Sequence, residues 1–499
     1  MRITAFGHSC LGLAFGSSED NELTTILVDP WLTDHAVGDT MGRYPRVRFE
    51  TGDLGPVHAV YLSHAHCDHL DPYTLLRLWQ ELPAPPVLIL PVSLAFLVPV
   101  FERHLPSPEI LLLAPFAPVH FRGLELMGLY DMGLEPTNED DVMVLVITHG
   151  TERAVVEADA RLSLELPRFR AFVSELVREP GLDSVVWLTT ENELSGTMAA
   201  RHCQTAAQRE ELRQAALEEL HAEVHQLYAP TDAPGDLWQA PTLLRLVHGQ
   251  GLAAAPEQDA RWQRVLFPVR TADRIAAERA VAEAQGCRHQ LAALRVGAAH
   301  TVEAGRLVGV QTLPWLRLLD REDDRHYDVS IDFSPELPWA PLRSESRVRA
   351  AQAARILAAL NDRFLPHLHG QRSPPVLHLL ADHGGEYRIQ VHFGTSLGDE
   401  ARDYVLSFGG RGFVEQQPDG TEPQEAYWAN DLEDVLDGRC DEFSTFWRRQ
   451  LPVESMRLWV SLATPLLNSD LVAARVEHHF ERAAAGKSPG SWVVPLLPG

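Results

Sequence analysis

The chain has 499 residues, 45% of them hydrophobic, with 43 basic against 69 acidic residues and a formal net charge of −26. The apolar share supports real cores rather than wholesale disorder, and the acidic balance argues against nucleic acid or an anionic membrane as the main partner. Two or three domains fit the length, and five scattered cysteines (Cys10, Cys67, Cys203, Cys287, Cys440) without a CxxC pair predict a reducing cytoplasm, no disulfide framework and no Cys-ligated iron–sulfur cluster.

The opening "MRITAFGHSC" runs straight into a strand pattern with no signal-peptide composition. "RITAFGHSCLGLAFG", "TTILVDPWL" and "HAVYLSHAH" read as strands, the last ending in a histidine-rich loop. In "HLDPYTLLRLWQEL", Asp71 is placed to cap a helix with Pro72 at its first position and Leu75, Leu76, Leu78 and Leu82 on its buried face. "VLILP", "EILLLA" and "HFRGLELMGLY" follow as strands, with "SLAFLVPVFERHL" as a helix between the first two. The most apolar window, "PPVLILPVSLAFLVPVF", is too short and too Pro-broken to span a bilayer. "DVMVLVITHGTERAVVEAD" predicts a hairpin turning at "THGTE". This strand–helix alternation makes the chain α/β.

From Leu164 the pattern turns helical in "LELPRFRAFVSELVREP" and "QTAAQREELRQAALEELHAEVHQLY", with the buried strand "SVVWLTT" between them. "APTDAPGDLWQAP" predicts a loop leading into a helix, "PTLLRLVHG". Pro density in "DFSPELPWAPLRSESR" predicts a linker. Beyond it come a helix ("SRVRAAQAARILAALNDRF"), strands ("VLHLLAD", "YRIQVHF", "DYVLSF") and helices around "YWANDLEDVLDG" and "DEFSTFWRRQ". The expected division is a metal domain over 1–255, an extension completing it over 256–338, and a C-terminal α+β module over 339–499.

The chemistry gathers in "VYLSHAHCDHLD", where His64-x-His66-x-Asp68-His69 follows an apolar strand. His64 and His66, two apart on an extended segment, project to one side. Asp68 and His69 follow where the chain turns towards the helix, and so diverge from the first pair. One cation can take the first pair and a neighbour the second. Imidazole and carboxylate ligands suit Zn, Fe or Mn.

With this motif, the "GHSC" after the first strand and the "ILVDPWL" strand, the sequence resembles the metallo-β-lactamase superfamily over about residues 1 to 250. The resemblance implies an αββα sandwich and three further ligand positions: one before the hairpin, a bridging aspartate after it, and a late histidine. Asp159 in "AVVEADA" takes the bridging place and His248 in "LLRLVHGQG" the late one, with His202, His221, His225, His289 and His300 as competitors. Before the hairpin, "GLYDMGLEPTNEDDVMVLV" has no histidine. Its Glu135 stands at the ligand place, with His149 nearby in the predicted turn. A carboxylate for an imidazole shifts preference from zinc towards harder iron or manganese.

That departure resembles the oxygenase branch of the superfamily, which includes CMP-N-acetylneuraminate hydroxylases and a diiron β-hydroxylase. The expectation is a cytoplasmic diiron oxygenase acting on a small molecule with O2. His64, His66 and Glu135 would hold one iron, Asp68, His69 and His248 the other, with Asp159 between. Asp68, Glu135 and Asp159 are the expected catalytic carboxylates. No Rieske domain is present, so electrons would come from an external donor, a co-substrate or the substrate. The alternative is a binuclear hydrolase of lactonase or phosphodiesterase type with two Zn or Mn ions. The C-terminal third weakly resembles sterol-carrier-like modules, with Trp428, Trp447 and Trp459 as lining candidates or core.

Overall fold

The computed structural model describes residues 1–16, 23–34, 36, 41–130, 142–159, 167–190, 205–229, 237–249, 252–254, 269–319, 349–370, 376–394, 400–439, 457–463 and 465–487. The strands in chain order begin with β1 (Arg2–Gly7), β2 (Cys10–Phe15), β3 (Thr24–Val28), the short β4 (Met41–Arg43) and β5 (Val47–Arg48), β6 (Ala59–Tyr61), β7 (Val87–Pro91) and β8 (Glu109–Leu113). Then come β9 (Val119–Phe121), β10 (Leu124–Tyr130), β11 (Met143–His149), β12 (Glu152–Val156), β13 (Ser184–Thr190), β14 (Leu243–His248) and the short β15 (Leu252–Ala254). β16 (Gln290–Ala293), β17 (Ala298–Glu303), β18 (Arg306–Thr312), the short β19 (Arg317–Leu318), β20 (Glu386–His392), β21 (Ala401–Ser407), β22 (Val414–Gln416) and β23 (Glu425–Trp428) complete them. The helices are α1 (Pro72–Glu81), α2 (Val98–His104), α3 (Pro167–Arg178), α4 (Ala206–Leu227), α5 (Thr271–Ala284), α6 (Arg349–Ala359), α7 (Leu365–Gly370), α8 (Val376–Asp382), α9 (Ala429–Leu436), α10 (Arg457–Ala463) and α11 (Pro465–Ala484).

One sheet is ordered β18-β17-β1-β2-β3-β6-β7-β8 and the other β16-β14-β13-β12-β11-β10-β9. Alternation along the strands sends one set of side chains between the sheets: Ile3, Leu13, Ile26 and Tyr61 meet Leu126, Leu145, Val156, Leu188 and Leu246. The opposite set faces helices. Val144, Val155, Val185 and Leu243 pack with Val173, Val224 and Val281 of α3, α4 and α5. Leu27, Val60 and Leu88 pack with Leu75, Leu78, Phe101 and Phe480 of α1, α2 and α11. The layers are therefore helix, sheet, sheet, helix, an αββα sandwich. β20 to β23 form a separate four-stranded sheet with a core of its own around Phe364, Tyr387, Ile389 and Leu432.

Three local expectations are corrected. Residues 241–249, expected as a helix, contain β14, whose six residues are all buried and which pairs in parallel with β13 and β16. A strand covered on both faces needs no alternation, so its leucine run carries no period to read. "VLHLLAD", expected as a strand, is α8: Leu379 and Leu380 are buried while Leu377 is 63% exposed, the signature of a one-sided helix. "HFRGLELMGLY" is two strands, because Arg122 and Gly123 turn the chain with φ of 47° and 81° between β9 and β10. The expected linker and the "DEFSTFWRRQ" helix with Trp447 lie outside the described residues, as does the side chain of Trp459. Trp428, the last residue of β23, is buried.

Candidate metal centre

The site forms where the sheet strands end. β6 runs parallel to β3, with Tyr61 opposite Val28, so the residues just past each strand meet. Asp29 follows β3 with a φ of 42°. Its carboxylate accepts the Ser63 backbone N–H at 2.7 Å, the Ser63 hydroxyl at 2.7 Å and His69 Nδ1 at 2.9 Å. Downstream, His66 O accepts from the N–H groups of His69 and Leu70, and Asp71 caps α1 by accepting from Tyr73 N. Thr33 and Thr74 also donate to Asp71, whose burial nonetheless pushes its pKa up to about 6.

These bonds settle the tautomers of three histidines. His69 Nδ1 must donate to Asp29. The Ser63 hydroxyl spends its proton on Asp29, so at 2.9 Å it accepts from His64 Nδ1. His8 lies in the β1–β2 turn with a φ of 48°, and its Nδ1 donates to Gly249 O at 3.1 Å. In each case Nε2 is left to face the corner, the arrangement in which a second partner fixes a ligating ring.

Two carboxylates meet these nitrogens. Asp159, three residues beyond β12, has Oδ2 3.1 Å from His69 Nε2 and 3.7 Å from His64 Nε2. Asp68 Oδ2 is 3.1 Å from His8 Nε2 and 3.9 Å from His69 Nε2. The ligand atoms of His64, His69 and Asp159 lie within 4.8 Å of one another, as do those of His8, Asp68 and His69. His69 belongs to both groups, so the two potential cation positions adjoin. His66 is buried beside them, its ring 4.4 Å from that of His64. His248 ends β14, opposite Thr190 of β13, and is buried within reach of the charges of His8, Asp159 and His69.

The electrostatics suit a cation. Burial, then the neighbouring His69 and His66, hold the His64 pKa well below the usual imidazole value. Burial lowers His248 to about 4. Burial works against the Asp159 anion, but His69 and His64 overcome it and hold its pKa well below the carboxylate range; Asp68 is lowered in the same way by His69 and His8. Burial also opposes charge on His69, yet Asp159, Asp68 and Asp29 together raise its pKa well above the ordinary value. A divalent ion answers the same carboxylates in the proton's place. The donor set fits such an ion for a second reason. Buried Nε2 of His64, both ring nitrogens of His248, and Oδ1 of Asp68 and Asp159 have no hydrogen-bond partner, and Nε2 of His8 and His69 meet only the carboxylates. Leaving that many polar atoms buried is costly unless something else binds them.

Of the expected residues, the structure brings His64, His66, Asp68, His69, Asp159 and His248 into one corner. Glu135 lies outside the described residues, as does His202. Of the other competitors, His221 and His225 are exposed on α4, His289 meets Tyr228 at 3.0 Å, and His300 accepts from Arg295 N. His149 ends β11 opposite Glu152. His8 and Asp29 were not singled out from the sequence. Their signal was there in part: each is a polar residue closing an apolar strand, in "GHSC" and "LVDPW", and each takes a positive φ.

No protein-family model matches the chain, and no curated protein matches it. Among solved structures, it is similar to a diiron β-hydroxylase from Streptomyces venezuelae at 16% identity, over 59% of this chain and 52% of that one, with a TM-score of 0.35. The match thus spans about half the length of the β-hydroxylase. It is also similar to a metallo-β-lactamase-fold protein from Bacillus subtilis at 13% identity, over 60% of this chain and 98% of that one, with a TM-score of 0.31. Likenesses this distant assign neither metal nor substrate.

Proposed function

We propose that the chain is a binuclear metal-dependent enzyme that oxidises a small molecule with O2 at a pair of iron ions. The observation that supports a metal centre most is the convergence of buried Nε2 atoms from His8, His64 and His69 on the carboxylates of Asp68 and Asp159. His64, His66 and Glu135 would hold one ion, Asp68, His69 and His248 the other, and Asp159 would lie between; His8 joins the Asp68 side. The preference for iron rests on the sequence, in which a carboxylate at position 135 hardens the ligand set. Bound iron would supply the redox chemistry that activates oxygen.

The chain's own part is orientation and exclusion of water. Asp29 fixes His69 directly and His64 through Ser63. Trp31, fully buried, packs edge-on to His8 with ring centroids 5.4 Å apart and closes that side of the corner. Hydroxylation balances as substrate C–H plus O2, two electrons and two protons giving C–OH and water, so an external donor of two electrons is required. No helix among the described residues is long and apolar enough to cross a membrane; a cytoplasmic site of action is proposed from the cysteine usage.

A second reading, a zinc-dependent hydrolase, is favoured by His8, which adds an imidazole to the set and moves it back towards zinc. Metal analysis of the purified chain with oxygen-uptake measurement separates the two. Two irons per chain and substrate-dependent oxygen uptake are expected. Two zincs and no uptake would replace the oxygenase reading with the hydrolase. Glu135→His should shift loading towards zinc, and unchanged iron selectivity would remove Glu135 from the ligand set.

A further inference from the structure

The last helix of the chain reaches back to the metal loop. On α11, Val472, Arg475, Val476, His479 and Phe480 are buried, a stripe at helical spacing. Val472, Val476 and Phe480 join the core beneath α1 and α2, where Phe480 meets Phe101 edge to face at 6.0 Å. His479 Nδ1 lies 3.2 Å from the Tyr73 hydroxyl on α1. Between these contacts, buried Arg475 donates through Nη2 to the backbone oxygen of Ala65 at 2.9 Å, across 410 residues of sequence.

Ala65 separates His64 from His66, and its carbonyl belongs to the planar peptide that continues into His66. Two nearby carbonyls of the loop find partners elsewhere: Ser63 O accepts from Met143 N, and His66 O from His69 N and Leu70 N. A buried backbone oxygen needs a donor, and a guanidinium is a strong one. Arg475 is itself braced from behind. Gly438, just past α9, has a φ of 70°, and a Cβ there would lie 2.7 Å from Arg475 N and 2.8 Å from Ala474 C. The helix that follows the small C-terminal sheet therefore abuts α11 at the turn carrying this arginine.

We infer that Arg475 is a positioning residue for the metal ligands: by holding the Ala65 carbonyl it sets the peptide plane between His64 and His66, and the C-terminal part of the chain is thereby a working part of the metal centre. The inference rests on reading this corner as a metal centre.

The test uses the full chain stripped of metal, titrated with cobalt(II) chloride and followed by its visible spectrum, with hydrogen exchange of amides 64–70 measured in parallel. Arg475→Met keeps the apolar stem and removes the donors. It should weaken cobalt binding by about 10–100-fold, the usual penalty for losing a partner of a ligand shell, alter the cobalt bands and speed exchange in the loop. Arg475→Lys should restore most of the affinity. Val472→Ala, which loosens the same helix without touching Ala65, should lower the melting temperature while leaving affinity and spectrum as in wild type. Wild-type affinity, bands and exchange in Arg475→Met would overturn the inference, and so would an equal loss of affinity in Val472→Ala, since packing alone would then explain it. If the wild-type chain takes up no cobalt, the metal-centre reading fails and exchange alone decides: faster exchange in Arg475→Met supports bracing of the loop, unchanged exchange overturns it. If Arg475→Met does not fold, Arg475→Leu, which also lacks a donor, takes its place with the same readouts.

Discussion

Strand β14 contributes to two buried polar clusters, and they are satisfied in different ways. Arg245 is on the strand face packed against helices. There Glu278 accepts from Arg245 Nε at 2.8 Å and Nη2 at 3.2 Å, from Arg274 Nε at 2.8 Å, and from the Tyr228 hydroxyl at 3.0 Å. Three residues on, His248 ends the strand in the metal corner, where neither of its ring nitrogens has a hydrogen-bond partner. Both clusters are buried and both shift pKa values strongly. In the first, every group facing the Glu278 carboxylate is a donor, and Glu223 takes a further bond from Arg274 Nη2 at 2.8 Å, so charge is matched within the protein. In the second, two carboxylates meet several imidazoles and both ring nitrogens of His248 stay unmatched, the donor set of a cation site. Matched partners mark a structural cluster, and converging acceptors mark a binding one.

Removing a member from each side tests the contrast. The largest effect is expected in the corner: Asp159→Ala should reduce metal loading from two ions per chain to one, with the far-ultraviolet circular dichroism unchanged. Two ions still bound by elemental analysis would remove Asp159 from the site. Next, Glu278→Gln should cost about 3–5 kcal/mol in urea unfolding, because the buried Arg245 guanidinium loses its anion while Arg274 keeps Glu223, and leave metal stoichiometry untouched. A loss below about 1 kcal/mol would mean that the cluster is not the closed structural unit described.

Acid should act on the same carboxylate. Arg245 and Arg274, working against burial, lower the Glu278 pKa from 4.5 to about 2. The folded value lies below the unfolded one, so its contribution is fully present above about pH 4.5 and is lost as pH falls towards 2. The full loss is about 3 kcal/mol. Urea midpoints measured between pH 6 and pH 3 should therefore draw closer for wild type and Glu278→Gln towards the acid end; parallel curves would contradict the shift. The smallest effect belongs to Asp29→Asn, which keeps the size of the side chain but weakens its hold on His69. Metal affinity should fall by about 10–100-fold with two ions still bound at saturation, and an unchanged affinity would make Asp29 a packing residue only.

The sequence by itself determined what is local. The spacing of His64, His66, Asp68 and His69, the Asp71–Pro72 helix start, the 143–156 hairpin and the amphipathic α3 all rest on neighbours within a few residues, where dihedral preference and hydrophobic period act directly. His248 stands in a segment whose leucine run reads as helical, and it lies in a strand because β14 pairs between β13 and β16. Tertiary structure decided the rest. His8 and Asp29 reach the corner through the pairing of β1 with β2 and of β3 with β6, and Arg475 reaches Ala65 from the far end of the chain. No period or motif encodes such a meeting. It depends on which strands lie side by side and which helix covers them, and that is set by burial of the whole core rather than by any one stretch of sequence.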